Sequence, residues 1–197
     1  MKKIPIVIKI ANSNYEREKA IKFIDRLALK YYQCHAPPLS QIILTAYSKK
    51  QIVGSLGINF AKNNKLPIEK HWIFDHNKTP LPYRASKLAE YGRWFATQPN
   101  ISFALYFSAA SYVLQNGKKY AFFEVKDSIA RHIKHAGVKL FLINAQLLIE
   151  NIEKKRRNYY LIPPTPKFYM TDNEQTVETL RKIAIPQIQS GEIIIEI

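Results

Sequence analysis

Between Leu88 and Ile143 the chain switches four times between strand-like and helix-like patterning, and that alternation restricts the possible folds more than any other feature. Leu88–Ala96, Tyr120–Val125 and Lys139–Ile143 are short apolar, aromatic and β-branched runs that suit strands. Ile101–Gln115 and Asp127–His135 carry apolar residues at helical spacing. Asn116-Gly117 closes the first of these helices and Gly137 the second, where a left-handed residue is commonly needed. Strand, helix, strand, helix, strand calls for parallel pairing with right-handed crossovers. The expected class is therefore α/β (α+β mixed), with a mixed twisted sheet and helices on both faces.

The rest of the chain adds to this unit. Lys3–Ile10 reads as a strand, and Ala11-Asn12-Ser13-Asn14 supplies capping side chains for a helix running to about Tyr32. Ala20, Phe23, Ile24, Leu27, Ala28 and Tyr31 fall on one face of it, and His35-Ala36-Pro37-Pro38 ends it. Ile42–Tyr47 and Gln51–Phe60, joined by Ser48-Lys49-Lys50, form an antiparallel hairpin. Gly54 and Gly57 in its second strand mark a bulge or a close backbone approach. The polar, proline-bearing stretch 61–86 is a long excursion with a short element around Ile68–Phe74. Beyond Ile143, Gln146–Arg157 reads as helix, Lys167–Met170 as strand, Asn173–Ala184 as helix and Glu192–Ile197 as a last strand.

At 197 residues and 47% hydrophobic content, one domain over 1–197 is expected. Ile101–Leu114 is broken by three serines and falls short of the roughly 20 residues a bilayer-spanning helix needs. The start of the chain turns polar at Asn12 with no small-residue cleavage site, so no signal peptide is read. A single cysteine, Cys34, has no partner for an intrachain disulfide, and a cytoplasmic setting is expected. Thirty Lys and Arg against 15 acidic residues give a net charge of +15, which fits solubilising lysine or an anionic partner. Carrier protein, coenzyme A phosphates, an anionic membrane and nucleic acid all satisfy that field, nucleic acid being the less favoured.

Several motifs are absent. No Gly-x-Ser-x-Gly, Walker A or dinucleotide fingerprint occurs, which removes hydrolase, kinase and Rossmann readings. His132 and His135 lie on one helix, and His71 and His76 flank Asp75, but neither group has a third ligand nearby, so no metal site is expected. Cys34 beside His35 does not make a nucleophile pair, because sequence neighbours do not present both side chains to one point. Lys154-Lys155-Arg156-Arg157, followed by Tyr159-Tyr160, is either a solvated helix end or a surface for an anionic partner.

The element order as a whole resembles the GNAT acyltransferase superfamily over roughly Lys3–Met170. Ala89-Glu90-Tyr91-Gly92-Arg93-Trp94-Phe95-Ala96 resembles the Glu-x-x-Arg-aromatic strand of the autoinducer (acyl-homoserine-lactone) synthases, a GNAT-like branch taking acyl groups from acyl carrier protein. Pro67-Ile68-Glu69, the segment Glu90–Ala96 and Asn158-Tyr159-Tyr160 followed by Pro166 also resemble the thermostable hemolysin family. This implies a GNAT-like fold and N-acyl transfer from a coenzyme A or acyl-carrier-protein thioester to a small amine or amino-acid-like acceptor, with no tightly bound cofactor. The competing reading keeps the fold as a noncatalytic basic module that binds an anionic partner.

The same resemblance implies a donor slot between two parallel strands that diverge, walled by Phe95, Ala96 and Thr97 on one side and by Phe122–Val125, Phe123 among them, on the other. Asn100, Ile101 and Ser102 would hold donor phosphate at a helix N-terminus. The turn Thr97–Ser102 lacks the glycines of acetyl-CoA-using relatives, which leaves carrier-bound pantetheine as favoured as free coenzyme A. Asp25–Leu39 lacks the arginine, tryptophan and aspartate array of the autoinducer synthases, which points away from lactone synthesis.

Acyl transfer needs a base for the amine and an acid for the leaving thiolate. Period-two alternation puts Glu90 on one strand face with Gly92, Trp94 and Ala96, and Arg93 on the other. Glu90 is the candidate base or else an ion-pair partner; Arg93 and Trp94 are candidate substrate contacts. Tyr159 and Tyr160 are candidate acids or packing residues.

Overall fold

The computed structural model describes residues 4–197, so Lys3 of the expected first strand lies outside the described residues. In chain order the elements are β1 (Ile6–Ile10), α1 (Asn14–Tyr32), β2 (Ile42–Ser48), β3 (Gln51–Phe60), β4 (Trp72–Phe74), β5 (Leu88–Ala96), α2 (Pro99–Gln115), β6 (Tyr120–Val125), α3 (Asp127–His135), β7 (Phe141–Leu142), β8 (Ala145–Leu147), α4 (Asn158–Leu161), β9 (Lys167–Asp172), α5 (Asn173–Gln189) and β10 (Ile193–Glu196). Eight strands make one mixed sheet in the order β10-β1-β2-β3-β5-β6-β9-β7, and β4 pairs with β8 in a separate ribbon.

Strand alternation distributes the core to both faces. Leu44, Leu56, Ala89, Tyr91, Ala121 and Phe123 pack against α2. Ile43, one residue from Leu44, packs instead with Ala11 and Ala20 of the α1 side. The expected helices on both faces are present. α1 starts on a capping box in which the Ser13 side chain accepts the Glu16 N–H and Glu16 accepts the Ser13 N–H. Glu16 also takes the Lys9 ammonium at 2.5 Å, and these donors hold its carboxyl down at about 2.

α2 buries residues on almost every side, including Ile101, Leu105, Tyr106 and Val113, which is why its sequence is nearly all apolar. Gly54 permits its close approach, because a Cβ there would lie 2.8 Å from Leu105 and 2.9 Å from Ile101. Among the described residues no helix is long and apolar enough to cross a membrane.

Two expectations are corrected. β5 and β6 pair in parallel, but β7 does not join β6: β9 lies between them, antiparallel to both. Phe168 to Thr171 are all buried and so demand an inner position, whereas two-residue β7 with its exposed Leu142 suits an edge. The stretch 146–157 is not a helix. Its start extends β8, and turns at Ile149–Asn151 and Lys154–Arg156 follow. Arg157 donates to the carbonyls of Ile152 at 2.8 Å and Glu150 at 3.1 Å, giving those carbonyls a side-chain donor in place of helical N–H groups.

Candidate active site

β5 and β6 are paired only through Leu88–Tyr120, Ala89–Ala121 and Glu90–Phe122. Past that point β5 stays with β3 as far as Ala96–Gly54, and β6 stays with β9 as far as Val125–Lys167. The two parallel strands therefore part company after Glu90 and Phe122. Thr97 N–H is donated to Val53 O at 2.9 Å. By alternation the peptide groups of Ala96 then turn to the edge that β6 has left open.

A bulge re-aims the side chains in this open half. The β3–β5 register shifts between Ser55 and Gly57, and Arg93 takes a left-handed backbone at φ 51°. The sequence alternation separated Arg93 from Glu90, yet the inserted residue brings them together: Arg93 Nη1 lies 3.4 Å from Glu90 Oε1. Trp94 is moved away from the Glu90 face and packs on Tyr106 of α2, with ring centroids 4.8 Å apart. Ala96 packs against the same α2-side core, and Phe95 meets Tyr32 of α1.

A cavity of about 540 Å³ opens at the parting of the strands. Tyr91, Trp94, Phe123 and Ile129 line its apolar part, while Glu90, Arg93, Glu124, His71, Tyr159 and Tyr160 give it polar walls. The segment 67–72 crosses between the two strands. Ile68 N–H donates to Glu90 Oε2 at 2.7 Å, and Trp72 Nε1 donates to Glu124 Oε2 at 2.5 Å. Glu90 also accepts Asn59 Nδ2 at 3.0 Å. Burial pushes the Glu90 carboxyl above the usual carboxylate range, against the lowering pull of Arg93, the Ile68 N–H and Asn59.

Glu124 anchors a second cluster. Tyr160 donates its hydroxyl to Glu124 Oε1, and His71 Nε2 lies 3.4 Å from Glu124 Oε2 and 3.3 Å from the Tyr160 oxygen. Tyr159 is freer, its hydroxyl only 3.5 Å from the Glu124 carbonyl. Burial holds both phenols well above their ordinary range.

Of the residues singled out in the sequence, Glu90, Arg93, Trp94, Phe95, Phe123, Tyr159 and Tyr160 line this cavity. Ala96 and Thr97 lie beyond its lining. Asn100, Ile101 and Ser102 form the first turn of α2; Ile101 is core, and the Ser102 N–H is taken by Gln98 O at 3.2 Å. Cys34 is buried on the cavity wall, and its neighbour His35 turns to Asp25 at 3.2 Å, so the two do not act together. Among the described residues no group of His, Cys, Asp and Glu could hold a metal ion.

Glu124 and His71 also line this cavity, although the sequence reading placed Glu124 only within the Phe122–Val125 wall and gave His71 no part in the site. A lone carboxylate in the otherwise uncharged strand Tyr120–Val125 was the available signal for Glu124. His71 was visible only as one of two histidines flanking Asp75.

No family model and no curated protein matches the chain. Solved structures do. BjaI, a CoA-dependent acyl-homoserine lactone synthase solved with SAM and isopentyl-CoA, is 14% identical with a TM-score of 0.64, over 98% of this chain and 93% of that one. FeeM, an N-acyl amino acid synthase from uncultured soil microbes, is 13% identical with a TM-score of 0.61, over 93% of this chain and 97% of that one. A GNAT-family acetyltransferase from Staphylococcus aureus is 12% identical with a TM-score of 0.51, over 84% and 99%. At such identities the likeness is one of fold, and the fold of this chain is the GNAT-like acyltransferase fold in the form shared by the acyl-homoserine lactone synthases and the N-acyl amino acid synthase.

Proposed function

We propose that the protein is an N-acyltransferase that moves an acyl group from a coenzyme A or acyl-carrier-protein thioester to a small amine or amino-acid-like acceptor. The observation that carries this reading is the parting of β5 and β6 after Glu90 and Phe122, with a cavity of about 540 Å³ at that point. An unpaired strand edge suits the amide-bearing pantetheine arm, which can hydrogen-bond to it as an added strand does. The acyl chain then lies against Trp94, Phe123 and Ile129, and the acceptor sits among Glu90, Glu124, Arg93 and the tyrosines.

The chemistry follows from that placement. The amine nitrogen attacks the thioester carbonyl carbon and loses a proton to a carboxylate of the chamber. The C–S bond breaks, and the thiolate takes a proton. Tyr159 suits that donation better than Tyr160, whose hydroxyl is committed to Glu124. The lack of a glycine cradle at Thr97–Ser102 leaves both donor types in play.

The test is thiol release, read with a thiol-reactive chromophore, from acyl-CoA and acyl-carrier-protein thioesters of graded length against a panel of amino acids and amines. Acceptor-dependent release, with the amide product found by mass, is expected. A protein that binds neither donor and releases no thiol is not an acyltransferase.

A further inference from the structure

If the site is an acyl-transfer centre, one of its two carboxylates must take the proton of the amine and pass it on. We propose that Glu124 is that base and that His71, acting through it, carries the proton to solvent, while Glu90 anchors the strand. The argument concerns what each carboxylate touches. Glu90 is surrounded by the Asn59 amide, the Arg93 guanidinium and the Ile68 N–H. All three are donors, and none of them can receive a proton. A proton placed on Glu90 has no next stop.

Glu124 is differently connected. His71 Nε2 lies 3.4 Å from its Oε2, and the Tyr160 oxygen stands 3.3 Å from the same nitrogen. An imidazole is the side chain best suited to accept and release a proton near neutral pH. Both members of the pair lie nearer solvent than Glu90: the His71 side chain is 20% exposed and that of Glu124 18%, against 6% for Glu90. Charged and titratable groups that share the cavity lining with His71 are Lys70 in its own turn, Glu124 on β6, Tyr160 on α4, Glu153 and Arg156, with Glu90 and Arg93 of β5.

The proton balance is complete. An ammonium acceptor and a thioester give an amide, a thiol and one proton. The ammonium nitrogen gives up two protons, one before attack and one as the C–N bond forms, and each passes to Glu124 and then through His71 Nε2 to water. Tyr159 gives its proton to the leaving thiolate as the C–S bond breaks, and its phenolate takes one back from water, so that one proton is released in all.

The experiment compares the pH dependence of acceptor turnover in wild type, His71→Gln, Glu124→Gln and Glu90→Gln, with donor-induced thermal shift as the measure of an intact site. His71→Gln is expected to bind donor normally, to lose about 10²-fold in kcat/KM for the acceptor near neutral pH, and to regain much of it with added imidazole. Glu124→Gln is expected to lose as much without imidazole rescue, and Glu90→Gln, which alters a wall of the acceptor pocket, is expected to lower turnover by one factor at every pH and so leave the shape of the profile unchanged. A His71→Gln protein with the wild-type profile and no imidazole response overturns the assignment, as does a Glu90→Gln protein that loses turnover while Glu124→Gln retains it. Wild type that binds donor yet releases no thiol under any condition overturns the acyl-transfer reading and this assignment with it. Should His71→Gln fail to fold, His71→Asn with the same imidazole titration decides.

Discussion

Arg93 passes over Gly57: a Cβ built on that glycine would stand 3.1 Å from Arg93 Cδ and 2.3 Å from Ser40 Oγ. The bare backbone of β3 is thus what lets the bulged arginine reach back to Glu90. Gly57→Ala is expected to cost about 1–3 kcal/mol of stability, read by urea denaturation, and to weaken donor-independent order around Arg93. A variant as stable as wild type would show that Ser40 and Arg93 move aside freely.

The buried Glu90 makes stability depend on pH in a defined direction. Its folded pKa is raised above the ordinary 4.5, so its contribution is fully present below about 4.5 and is lost as pH rises through the folded value. Glu90→Gln removes that loss. Relative to the variant, wild type is expected to lose stability as pH climbs above about 4.5, and parallel curves for the two proteins would contradict the raised value.

Glu16 behaves in the opposite sense. Its folded pKa of about 2 lies below the ordinary 4.5, so its contribution is present above about 4.5 and is lost as pH falls through about 2. Ser13→Ala, which removes the helix cap, is expected to cost about 1 kcal/mol at neutral pH. Glu16→Gln should flatten the acid limb of the unfolding curve, and an unchanged limb would show that other carboxylates set it.

The paired tyrosines separate by chemistry. Tyr159→Phe is expected to lower turnover by about 10²-fold with little change in melting temperature. Tyr160→Phe removes a hydrogen bond to a carboxylate and is expected to cost about 2 kcal/mol of stability. Both effects are read by thiol release and thermal melting on the same preparations. A reversal of the two would exchange their roles.

Much of the fold was legible because it rests on local periodicity. The capped helix from Asn14, the hairpin around Ser48–Lys50, and the alternation from Leu88 to His135 all carry their own signals in neighbouring residues. The insertion of β9 between β6 and β7 was not legible, since strand order depends on pairings far apart in sequence. The site was read in part. Glu90, Arg93 and Tyr159, singled out in the sequence, line the cavity, but the face assignment of Arg93 failed because a single left-handed residue resets the period of two. The contacts of His71 and Trp72 with Glu124 were not legible, because Glu124 lies 52 residues beyond Trp72 and no local pattern announces a contact of that span.

β6 keeps all six of its residues in register with β9, from Tyr120–Asp172 to Val125–Lys167, even where it has let go of β5. A wall braced along its whole outer edge does not fray when its inner edge is empty. The gap is consequently a standing property of the folded chain: the β6 amides on the β9 side should resist solvent exchange, and under the proposed function a donor would meet a receptor whose ordering was completed during folding, so that little of its affinity is spent on shaping the protein.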